Sequence, residues 1–133
     1  MTIFKKSLLV ILAVIAIGIT SITFLMTNGS SASANSCTSK NSVSHAVTIR
    51  DGRTSPEITD GKLCDSLTIT NLDAVTRAIS FGPHEHHQAY DGVTEQYLNI
   101  HQSITITLSK VGNFHFHDHV HDDTNGYFNV SKS

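Results

Sequence analysis

The chain predicts an all-β domain, an antiparallel sandwich or Greek-key barrel of about seven short strands preceded by an N-terminal hydrophobic helix. Two observations carry the β assignment. Short runs rich in Val, Ile, Thr, Phe and Tyr alternate with polar residues at period two, and Gly, Asn, Asp and Pro separate them. Beyond Met26 no stretch holds a 3.6-residue apolar stripe. With 133 residues, about thirty of them outside any globular pattern, the chain has room for one small domain.

Lys5 and Lys6 form a basic start, and the run from Ser7 to Met26 (SLLVILAVIAIGITSITFLM) carries no charge. Two readings of this segment stay open. Ala32-Ser33-Ala34 is an A-x-A cleavage pattern, which makes residues 1–34 a signal peptide. The uncharged run is also long enough to remain as a membrane tether through residues 7–26. On either reading the protein is exported, and it works in the periplasm or outside the cell, soluble after cleavage or anchored to the cytoplasmic membrane.

Residues 35–44 are polar and small and read as a flexible linker, which leaves 45–133 as the folded domain. The strands expected there are AVTIR (46–50), SLTITN (66–71), RAISF (77–81), SITITLS (103–109), NFHFHD (113–118) and GYFNV (126–130). The segment from Gly82 to Asn99 is too long for a hairpin turn and holds Pro83, Gly92 and three histidines. Long loops on a β scaffold are where function usually resides. Cys37 and Cys64 are the only cysteines, and an even pair in an oxidising compartment most simply forms one disulfide, worth about 3 kcal/mol in the chain-entropy model.

The order of motifs along the domain resembles that of a known family. Ser66-Leu-Thr-Ile-Thr-Asn71-Leu-Asp73, a strand ending in Phe81, then Ile100-His-Gln-Ser103 leading into ITITLSKVGNF and HFHDHVHDDTNGYFNV follow the cupredoxin order across roughly residues 45 to 131. The resemblance implies a cupredoxin-like fold. It also places the four ligands of a blue-copper site at Arg77, Asp118, His121 and Thr124, where the family has His, Cys, His and Met. Without the thiolate, a blue electron carrier is not expected. The chain looks more like a divergent exported group with P-H-x-x-H in the long loop and H-[DN]-H at the end of the penultimate strand, matched by Pro83-His84-Glu85-His86-His87 and His117-Asp118-His119.

Eight of the nine histidines lie between His84 and His121. In a strand, Phe114 and Phe116 share one face and His115 and His117 the other, so His115 reads as a plain surface residue, as do His45 and His101. His117 with His119, and His84 with His87, are spaced to bring four imidazoles onto one ion. A nitrogen-only donor set favours copper, with zinc second. His86, Asp118 and His121 are secondary candidates. Asp118 reads as a fifth ligand, as an acceptor that orients a histidine ring, or as a strand-end aspartate satisfying loop amides. Arg77 cannot ligate a metal and is expected to pair with Asp118 or Glu85.

Cleavage after Ala34 would remove two lysines and no acid, leaving an acidic domain, which disfavours a nucleic-acid partner. Support for catalysis is thin: there is no G-x-S-x-G and no Cys with a His partner. The leading expectation is an exported protein that binds a type 2-like copper ion for copper handling, with an envelope copper-handling protein as partner. The alternatives are a metal-free envelope interaction or sensor module and, behind it, a small copper redox enzyme of superoxide dismutase type.

Overall fold

The period-two runs fold into nine strands, and all secondary structure in the described residues is β. The computed structural model describes Cys37 and residues 41–132. The expected signal peptide or anchor at residues 1–34, its hydrophobic helix and most of the 35–44 linker lie outside the described residues. Among the described residues no helix is long and apolar enough to cross a membrane.

The strands are β1 (Ser44–Arg50), β2 (Arg53–Ser55), β3 (Ile58–Lys62), β4 (Ser66–Asn71), β5 (Arg77–Phe81), β6 (Glu95–Leu98), β7 (Ser103–Thr107), β8 (Gly112–Asp118) and β9 (Asn125–Ser131). They form a four-stranded sheet in the order β2-β1-β4-β7 and a five-stranded sheet in the order β3-β9-β8-β5-β6. The six runs read from sequence are all strands, and β4 and β5 keep the bounds expected of them. The three further strands, β2, β3 and β6, all lie at sheet edges, where one flank has no neighbour. Edge strands need no continuous apolar alternation, and ITDGK and EQYL show little of it. Two pairings, β1 with β4 and β3 with β9, are parallel, so the sandwich is mixed where the sequence suggested antiparallel throughout.

Alternate residues fill the space between the sheets. Val47, Ile49, Leu67, Ile69 and Ile106 from one sheet meet Ile79, Phe81, Phe116, Phe128 and Val130 from the other, all buried. Gly126 on β9 makes room for this packing, because a Cβ there would meet the Phe116 ring at 2.1 Å. On the opposite face of the four-stranded sheet, Thr68 pairs with Thr105 and Thr70 with Ser103 through hydroxyl contacts of 2.8 Å.

The Cys37–Cys64 disulfide forms as expected. Next to it, Asp65 accepts the Val43 and Lys62 amides and the His45 ring, each at 2.8–2.9 Å. Burial alone would raise the Asp65 carboxyl, but these partners offset that and hold it at about 2. His45, expected on the surface, is thus tied into the β1–β4 junction, whereas His101 is exposed as expected.

Candidate metal centre

Three consecutive residues at the end of β8, Phe116, His117 and Asp118, are all buried. Alternation sends Phe116 and Asp118 to one side of the sheet and His117 to the other. Two polar sites result, back to back.

On the Asp118 side, Arg77, Asp118, His121 and Thr124 come together. Arg77 Nη1 lies 3.0 Å from Asp118 Oδ2 and 3.4 Å from Thr124 Oγ1, and the His121 ring lies 2.9 Å from the same Asp118 oxygen. Arg77 Nη2 reaches Asp73 Oδ2 at 2.7 Å. Asp73 is held in its turn by the buried Asn71 side chain, whose carbonyl accepts the Asp73 amide. Burial alone would raise Asp118, but Arg77, the Val120 and Ala78 amides and His121 bring it below the ordinary carboxylate range. Asp73 is lowered in the same way, against burial, by the Gly52 amide, Arg77 and the Asp51 amide. Burial opposes the Arg77 charge too, yet Asp118 and Asp73 raise its pKa. The guanidinium therefore stands where the blue-copper resemblance puts an ion. It has no lone pair to donate and no thiolate is beside it, so these residues do not fit a blue-copper ion.

On the His117 side, Phe81 ends β5 and Gly82, with φ of 84°, turns the chain. Three 2.9 Å bonds fold the loop back over β8: Gly82 N–H to His115 O, Gln88 N–H to Phe81 O, and His86 N–H to Pro83 O. A Cβ on Gly82 would press on His86 O and Gln88 N at 3.2 Å. The loop thereby lays His84 and His87 on His117, and the chain beyond β8 brings His119 to the same place. All six ring-to-ring distances among these four histidines fall between 4.5 and 6.3 Å.

His117 Nε2 and His87 Nε2 are 3.2 Å apart. Two nitrogens bound at 2.0–2.1 Å to one tetrahedral ion would be about 3.3 Å apart, so this spacing fits ligation without rearrangement. His117 is only 2% exposed, and its Nδ1 has no hydrogen-bond partner among the described residues. Burial, then the neighbouring His115, His87, His84 and His119 rings, push its pKa down. The neutral ring that results keeps the lone pair a metal needs.

Carboxylates frame the outer rings. His84 Nδ1 lies 3.2 Å from Asp122 Oδ1 and His119 Nδ1 lies 3.1 Å from Glu95 Oε2. The fully buried Ser80 donates to the same Glu95 oxygen at 3.1 Å. Strand register puts Glu95 opposite Ser80, and Ser80 opposite His117, so the three lie in a row across the sheet. Donor atoms of His84, His87 and His117 lie within 4.8 Å of one another, as do those of His87, Glu95 and His119.

The four histidines expected to share an ion are thus gathered. Of the secondary candidates, His86 is exposed and outside both donor groups, and Asp118 and His121 belong to the arginine side. Asp118 pairs with Arg77 and orients His121. His115 departs from the surface reading: it is half-buried, stacked on His117 at 5.3 Å, with its ring nitrogens on Gly82 O and Asn125 Oδ1. Glu95 is the residue sequence reasoning missed. No spacing marks it, and only the β5–β6 register brings it to the site.

No family model matches the chain, and no curated protein sequence matches it. Solved structures do match. A purple cupredoxin from Nitrosopumilus maritimus aligns with a TM-score of 0.58 at 18% identity, over 65% of this chain and 99% of that one. The fold is that of the cupredoxins. A reduced amicyanin variant aligns at 0.55 with 18% identity over 70% and 85% of the two chains, and a Cu(I) form of another amicyanin variant at 0.56 with 17% identity over 70% and 85%. This cupredoxin-like chain keeps the scaffold without the Cys and Met ligands of a blue site.

Proposed function

We propose that the protein is an exported cupredoxin-like metal-binding protein that holds one copper ion, with zinc as second choice, through His84, His87, His117 and His119 for copper handling. The convergence of these four rings on the outer face of the five-stranded sheet carries the reading. Nitrogen donors without thiolate favour Cu(II) among divalent ions. Two neighbouring structures, both amicyanin variants, are described as Cu(I) forms, which supports copper on this scaffold. The disulfide supports an oxidising compartment. His84 and His119 are each nearly half exposed, an arrangement suited to exchanging the ion with an envelope partner.

Titration of the protein with Cu(II) tests this. One equivalent is expected to bind with a pale type 2 spectrum, free of the intense visible band of a copper–thiolate bond. Equal affinity in a His117→Ala/His119→Ala variant would refute it, and a metal-free interaction module would then be the better reading.

A further inference from the structure

The two donor groups overlap in one residue. His84, His87 and His117 make one set, His87, Glu95 and His119 the other, and His87 belongs to both. The His117 and His119 rings are the farthest apart of the four, at 6.3 Å, and do not occur in the same set. The sets also differ in character. The first is all nitrogen and includes the buried His117, whose Nδ1 has no partner among the described residues. Each set has one outer histidine near half exposure, His84 at 48% and His119 at 43%, but the second has no fully buried member and mixes nitrogen with a 30%-exposed carboxylate whose oxygen Ser80 holds in place.

We propose that the centre is two overlapping subsites joined at His87: an entry subsite of Glu95, His119 and His87 that captures a hydrated divalent ion, and a resident subsite of His84, His87 and His117 that keeps it. The inference rests on the metal-binding reading above. A carboxylate at the mouth meets the ion's positive charge and exchanges oxygen for water readily, whereas three imidazoles bind Cu(II) more tightly. His87 keeps hold of the ion while its other partners change, so the ion is never released to solvent between subsites. Glu95 Oε2 and His119 Nδ1 stand 3.1 Å apart, a separation that suits two donors on one ion.

The test is the rate of Cu(II) capture and of its release to a chelator, measured by stopped flow on the full-length protein and its Glu95→Gln and His84→Ala variants. An entry subsite speeds exchange in both directions, so Glu95→Gln is expected to slow capture and release alike, by roughly tenfold. His84→Ala, which strips the resident subsite, is expected to speed release by roughly a hundredfold. If Glu95→Gln instead speeds release, Glu95 belongs to one undivided centre and the two-subsite proposal fails while the metal-binding reading stands. If the unsubstituted protein captures no Cu(II), both fail.

Discussion

His117 and Asp118 are neighbours in sequence, both buried, and face opposite sides of one sheet; what surrounds them differs in a way that explains their roles. Around Asp118 the protein supplies its own cation. Arg77 sits between Asp73 and Asp118, and the charges are compensated within the fold. Around His117 the groups are imidazole rings, His117 Nδ1 has no hydrogen-bond partner among the described residues, and the outermost rings lean on carboxylates. Arg77 Nε, too, has no partner among the described residues, so what separates the two clusters is charge: one holds its own cation between carboxylates, and the other gathers ring nitrogens able to donate lone pairs.

The comparison is broken most directly at Arg77. Arg77→Met leaves two buried carboxylates without their cation and is expected to cost about 3–5 kcal/mol in chemical denaturation, while the folded protein still binds its metal. A loss under 1 kcal/mol would show that the arginine is no counter-ion.

Acid separates the two sites next. Asp73 and Asp118 titrate lower in the folded chain than in the unfolded one, so their stabilisation is full above the ordinary carboxylate range and is lost as pH falls below about 4. Asp65, at about 2, adds about 2 kcal/mol with the same sign. Stabilisation by bound Cu(II) is expected to vanish earlier, as protons compete for imidazole from about pH 6.5 downward. Thermal midpoints measured with and without Cu(II) from pH 7 to 3 are expected to converge before the metal-free protein unfolds. Convergence only below pH 4 would point to carboxylate ligands.

The smallest effect is the most specific. His84→Ala/His87→Ala removes loop rings that carry no core packing, so the metal-free protein is expected to change by about 0.5 kcal/mol or less. The same variant loses the stabilisation that Cu(II) gives the unsubstituted chain, about 2.7 kcal/mol at a hundredfold excess over Kd. Calorimetry of both forms with and without Cu(II) reads the two numbers.

The parts legible in the sequence were those with local signals. Strands covered on both flanks announce themselves by alternation, as RAISF and SLTITN do, and the histidine pairs by their spacing. The edge strands β2, β3 and β6 bury too little to leave such a pattern. Glu95 reaches the site through register, and the burial of His117 arises because the loop after Gly82 covers a face that parity alone marks as exposed. Register and loop path are long-range properties, and no short window of sequence encodes them.

The turn at Gly82 carries a consequence for finding other chains with this centre. Its positive φ and the atoms crowding its missing Cβ mean that a side chain there would lift the histidine loop off β8. A search pattern for such centres should therefore weight the glycine of F-G-P-H-x-x-H as heavily as its histidines, and require H-D-H at the end of the strand paired with that phenylalanine. Chains with the histidines but a bulkier residue at the turn would pass a composition filter and still lack the geometry.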